Sequence, residues 1–163
     1  MSGAPGTKQR ADSDSPKGSF YMYLVFVCTG NICRSPMAEG MFKKLLKEKG
    51  DSGIVCSSAG LATVDGRHAS ENAQTVALEY GVDISAHRSH LLTRSISRRA
   101  DMIVCMTQEH FDMLNRLIPE EKLAILGGGI ADPYGGDIEV YRRCAAEIDA
   151  ALPELYEKIK CKG

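Results

Sequence analysis

Cys28 and Arg34 stand with five residues between them in the run Val27-Cys28-Thr29-Gly30-Asn31-Ile32-Cys33-Arg34-Ser35-Pro36-Met37. An apolar stretch, Tyr23 to Val27, precedes the run, and the helix-starting pair Ser35-Pro36 follows it. Strand, turn, helix is the expected order. Such a turn aims successive backbone N–H groups and a helix N-terminus into one hollow, a receptor for a phosphate-like anion. A thiol attacks only as thiolate, a form favoured by a helix N-terminus and a nearby Arg. Five residues suffice to wrap the backbone once around a tetrahedral oxyanion and bring Arg34 back to face it. Arginine offers a planar fork there, where lysine would supply charge alone. Gly30 permits a positive φ inside the turn, and Asn31 also tolerates the left-handed region.

The elements that must position this loop alternate. Apolar residues Met37, Ala38, Met41, Phe42, Leu45 and Leu46 recur at helical spacing up to Gly50, with lysines on the opposite side. Ile54 to Ser58 reads as a second strand. Ala69 to Tyr80 reads as a helix with Ala73, Val76, Ala77 and Tyr80 inward. Met102 to Met106 is a third strand, Thr107 caps a helix through Leu117, and Lys122 to Leu126 is a short fourth strand. The last helix carries Ile138, Tyr141, Ala145, Ile148, Leu152, Leu155 and Ile159 on one stripe, and Pro153 should kink or restart it. The fold class is therefore α/β: a single doubly wound domain, a four-stranded parallel sheet with helices on both faces. Ligands bind such sheets beyond the carboxyl ends of the strands. Cys28 ends strand one and Asp132 follows strand four, so both are expected on one rim.

The pattern Cys-x5-Arg-Ser after a first strand, with Asp132-Pro133-Tyr134 near the far end, resembles the low-molecular-weight protein tyrosine phosphatases. The likeness covers roughly Met22 to Leu155. It implies phosphotyrosine hydrolysis through a cysteinyl-phosphate, with catalytic Cys28, Arg34 and Asp132 and no metal or other cofactor. Asp132 would serve as general acid and then general base. Thr29, Gly30, Asn31, Ile32, Cys33, Arg34 and Ser35 would bind the phosphate. Ser35 would donate to the Cys28 sulfur as well as cap the helix, and Asn31, Ser58 and His87 would pin the loop. Ile32 and Tyr134 would line the mouth of the pocket, although Tyr134 has the alternative of packing beneath the loop.

Relatives specialised for phosphoarginine share the Asp-Pro-aromatic-Gly-Gly pattern seen at Asp132 to Gly136 but carry Thr where this chain has Ile32, which favours phosphotyrosine here. The better-known animal members place two tyrosines after Asp-Pro, so this chain resembles a bacterial or lower-eukaryotic type. Arsenate reductases of the same fold need two further cysteines on a mobile segment. The corresponding stretch, His87 to Arg99, has none. A phosphoprotein-binding or redox-sensing module that has lost turnover is opposed by the retention of Cys28, Arg34 and Asp132 together, since binding alone needs neither thiolate nor acid. The glycines around Asp132, at 127 to 129 and 135 to 136, suit a mobile acid loop.

A chain of 163 residues fits one domain, and 20 Lys plus Arg against 21 Asp plus Glu offer no broad field for nucleic acid or membrane. Apolar runs are too short to span a bilayer, and no signal-peptide pattern opens the chain. A cytoplasmic protein, monomer or weak dimer, is expected, with phosphotyrosine proteins as partners and inorganic phosphate as product. Residues 1–21, rich in Gly, Ser and Pro, read as a flexible leader and 22–163 as the phosphatase domain. The six cysteines read as thiols. Cys33 either supports the turn as a small buried side chain or, as the resemblance implies, forms a protective disulfide with Cys28. His68, His90 and His110 lack metal-ligand spacing and read as surface residues.

Overall fold

The computed structural model describes residues 21–162, so residues 1–20, most of the expected leader, lie outside the described residues. Strands β1 (Met22–Cys28), β2 (Ile54–Gly60), β3 (Met102–Cys105) and β4 (Leu123–Ile125) form one parallel sheet in the order β2-β1-β3-β4. β1 is central. It pairs along its whole length with β2, from Met22 opposite Ile54 to Cys28 opposite Gly60, and with β3 from Leu24 opposite Met102 to Val27 opposite Cys105. The order reverses direction at β1, and the crevice of such a sheet opens at that point.

Helices α1 (Arg34–Glu48), α2 (Glu71–Glu79) and α5 (Ile138–Lys162) cover one face, and α3 (Arg94–Arg99) and α4 (Gln108–Asn115) the other. The two-residue period of the strand sorts β1 between them: Leu24, Phe26 and Cys28 join the α1 side, Val25 and Val27 the α4 side. Both faces of β1 are buried, as its unbroken apolar run requires.

One expectation needs correction. Pro153 does not restart the last helix, since α5 runs unbroken from Ile138 to Lys162. The ring lies on the exposed side, where water can reach the carbonyl that proline's missing N–H leaves unpaired, while Leu152, Leu155 and Tyr156 hold the buried stripe. The segment His87 to Arg99 is built in: Gly60 N donates to His90 O, Leu92 N donates to Gly60 O, and Thr93 caps the unexpected short helix α3.

Candidate active site

The chain leaves β1 at Cys28, turns, and enters α1 at Arg34. Carbonyls of this loop are taken by the elements outside it. Cys28 O accepts from Leu61 N (3.0 Å), Thr29 O from Ala62 N (2.9 Å), Asn31 O from His87 Nε2 (2.8 Å) and Ile32 O from Ser70 N (2.8 Å). In a trans peptide each N–H points opposite to the preceding carbonyl. The N–H groups of Thr29, Gly30, Ile32 and Cys33 are thereby turned inward, and Asn31 N donates to Cys28 Sγ at 3.3 Å. Gly60 lets the loop lie this close, because a Cβ there would stand 3.0 Å from Thr29 O and 3.1 Å from Asn31 Cβ.

Asn31, not Gly30, takes the positive φ of the turn, at 56°. Asparagine pays for that conformation with hydrogen bonds: its Nδ2 donates to Ser35 Oγ (2.8 Å) and Ser58 Oγ (3.0 Å), and its Oδ1 accepts from His90 N (2.9 Å). Ser58 Oγ in turn donates to Glu39 Oε1 at 2.6 Å. Ser35 Oγ lies 3.0 Å from Cys28 Sγ, and Asn31's donation leaves the serine hydroxyl proton available to the sulfur. The expected cap of α1 by Ser35 is absent, since Ser35 lies inside the helix and no side chain caps it.

Arg34 is buried behind the loop, donating from Nη1 to Ile130 O (2.9 Å) and pairing Nη2 with Asp132 Oδ2 at 3.5 Å. Its buried Nε has no protein partner among the described residues, so part of the fork remains for a ligand oxygen. A pocket of about 280 Å³ is lined by Cys28, Thr29, Gly30, Ile32, Cys33, Arg34, Asp132 and Tyr134, with Ala62 and Arg67 added from the loop after β2. Tyr134 is 67 % exposed, so it walls the mouth and does not pack beneath the loop. Asp132 both caps its own turn, accepting from Tyr134 N (3.0 Å), and faces Arg34. Asn31, Ser35, Ser58 and His87 stand behind the loop as its support. Burial holds the His87 imidazole below its usual pKa, against the opposing bond to Asn31 O.

All six cysteines are free, Cys161 exposed and the rest buried. Burial pushes the thiols of Cys56, Cys105 and Cys144 up to about 12 and raises that of Cys33. Cys33 Sγ also lies 3.4 Å from both Ser70 Oγ and Tyr141 Oη, so it does support the turn. His68 and His90 are at the surface as expected, but His110 is not. It is 7 % exposed, in the first turn of α4, with Nε2 3.0 Å from Thr29 Oγ1. Its signal in the sequence was position: three residues after a capping Thr at the carboxyl end of a strand places it on the same rim as Cys28. Glu39, Ser70 and Tyr141 had no such signal, lying within apolar helical patterns or at a cap.

A family model described as low molecular weight phosphotyrosine protein phosphatase matches residues 23–163. A protein-arginine-phosphatase of Geobacillus stearothermophilus is 38% identical over 146 residues, 84% of this chain and 95% of that protein. The probable low molecular weight protein-tyrosine-phosphatase AmsI of Erwinia amylovora is 36% identical over 118 residues, 68% of this chain and 78% of its own. The crystal structure of a low molecular weight protein tyrosine phosphatase from T. tengcongensis superposes with a TM-score of 0.79 at 38% identity, covering 84% of this chain and 99% of that one.

Proposed function

The chain belongs to the low molecular weight phosphotyrosine protein phosphatase family and is a phosphoric monoester hydrolase, and we propose that it dephosphorylates phosphotyrosine in proteins through a cysteinyl-phosphate on Cys28. The carrying observation is that Cys28, Arg34 and Asp132 line one pocket whose floor is a ring of inward-turned amides. The Cys28 thiolate attacks phosphorus in line. Loop amides and the free part of the Arg34 fork hold the equatorial oxygens as charge redistributes. Asp132, half exposed at the mouth, protonates the departing phenolate oxygen. It then takes a proton from the water that cleaves the phosphocysteine, releasing inorganic phosphate and Cys28. Ser35 Oγ donates to the sulfur as it leaves. Ile32 and Tyr134 flank the substrate ring, so reach past this wall selects the long phosphotyrosine side chain over phosphoserine.

Phosphoarginine hydrolysis is the sibling reading, favoured by the 38% identical arginine phosphatase and opposed by Ile32, which offers apolar contact and no hydroxyl to a guanidinium. Turnover of phosphotyrosine, phosphoarginine and phosphoserine peptides side by side tests the proposal. Phosphotyrosine is expected to be cleaved fastest, and a larger kcat/KM for phosphoarginine would transfer the assignment. The described helices include none long and apolar enough to cross a membrane. With six cysteines free of disulfides, we place the enzyme in the reducing cytoplasm.

A further inference from the structure

His110 is a buried imidazole that the proposed reaction does not use. Its Nε2 is 3.0 Å from Thr29 Oγ1, and its Nδ1 is buried with no partner among the described residues. Thr29 follows the nucleophile and lines the pocket. The two neutral tautomers give this pair opposite consequences. With the proton on Nδ1, a buried N–H would be orphaned and the Thr29 hydroxyl would point its hydrogen back at Nε2. With the proton on Nε2, only a lone pair goes unmatched, which is the smaller cost, and Thr29 Oγ1 becomes the acceptor. The doubly protonated form is opposed by burial and by the nearby Arg34 guanidinium, which hold the imidazole below its ordinary pKa.

We propose that His110 is a positioning residue: it donates from Nε2 to Thr29 Oγ1 and thereby turns the Thr29 hydroxyl into a donor directed at an oxygen of the phosphoryl group bound in the loop. Thr29 then adds a side-chain hydrogen bond to the anion that the backbone amides and Arg34 already bind. The inference rests on the phosphatase reading for its ligand, but not on which phosphorylated residue is the substrate.

The test measures binding of inorganic phosphate by calorimetry, turnover of p-nitrophenyl phosphate, and the nitrogen-15 shifts of the His110 ring. Thr29→Val should weaken phosphate binding about tenfold, the scale of one hydrogen bond to a charged group. Thr29→Ser, which keeps the hydroxyl, should lose much less. His110→Phe should match Thr29→Val, and the double variant should be no worse than either single one, whereas a merely structural histidine would give losses that multiply. The ring shifts should place the proton on Nε2. If His110→Phe does not fold, the Thr29 pair and the ring shifts decide. Wild-type phosphate affinity in Thr29→Val, multiplying losses, or a proton on Nδ1 would overturn the proposal. A wild-type protein that binds phosphate but turns over no phosphomonoester would instead sink the phosphatase mechanism and leave this test readable.

Discussion

Arg34 Nη2 meets Asp132 Oδ2 at 3.5 Å across the pocket, joining the first loop of the sheet to the loop after its last strand. The guanidinium is buried and the carboxylate half exposed, so the pair joins a fixed cation to an accessible acid. Its contribution to stability is small, because an ion pair with an exposed partner is worth about 0 to 1 kcal/mol. Its value is placement: the same contact holds the proposed proton donor at the pocket that Cys28 also lines.

Cys28→Ser should cut hydrolysis of p-nitrophenyl phosphate by on the order of 10⁴-fold or more, the usual scale for losing a nucleophile. The folded state should survive, since a hydroxyl can still bond Ser35. Near-normal turnover in this variant would exclude the cysteinyl-phosphate.

Asp132→Ala should cost roughly 10² to 10⁴-fold in kcat for phenyl phosphate, whose leaving group needs a proton, and far less for p-nitrophenyl phosphate. Rates measured across a series of substituted phenols would steepen in their dependence on leaving-group pKa. An unchanged dependence would remove Asp132 from the acid role.

Peroxide should inactivate the enzyme reversibly. The Cys28 thiolate would be oxidised to a sulfenic acid, and the Cys33 thiol would displace water from it to form a disulfide. Because burial raises the Cys33 pKa, Cys33 should be the resolving thiol and not the first one oxidised. In Cys33→Ala, activity should fail to return with a dithiol reductant after prolonged exposure. Mass analysis of the oxidised wild type lacking a Cys28–Cys33 crosslink would refute this scheme.

Stability should fall as pH drops from neutrality into the mildly acidic range. Burial lowers the pKa of both His87 and His110 from 6.5, so the unfolded chain binds protons that the native state refuses. The stabilisation is complete above about pH 6.5, the unfolded value for histidine, and is lost below it as pH falls toward the folded values. Asp51 and Asp83 are lowered as well, but their loss begins only in the carboxylate range. Urea midpoints at about pH 7.5 and 5.5 should show the decline, with a shallower slope in His87→Gln, which removes one of the two titrations. A midpoint that is flat or rises on acidification would contradict it.

Gly60→Ala should lower both kcat and thermal stability, because the new methyl would press on Thr29 O and Asn31. Overpacking of this kind costs about 1 to 3 kcal/mol. A variant with wild-type melting temperature and turnover would show that the loop yields freely.

Much of this architecture was legible because it depends on period and punctuation. The apolar run ending at Cys28 read as the first strand of a parallel sheet, and Cys28 with Asp132 fell on one rim by the rule for such sheets. What escaped depends on three-dimensional neighbours. Asn31 rather than Gly30 bears the left-handed conformation because its amide has two serine hydroxyls and a backbone N–H to bind, and two of those partners, Ser58 Oγ and His90 N, come from distant parts of the chain. The restart expected at Pro153 did not occur because a helix breaker is judged locally, while α5 is held by a stripe of buried side chains on its far side. His110 misled because burial of a polar residue leaves no periodic trace.

The central place of β1 has a consequence for how the enzyme comes apart. Hydrogen-bonded on both edges and covered on both faces, this strand should exchange its amides slowest, releasing them only when the whole domain opens. Asp132 and Tyr134 sit on a half-exposed loop outside the sheet and should exchange fast. Under mild denaturant the acid should therefore be lost first, leaving a particle that still captures phosphate and can no longer turn it over efficiently.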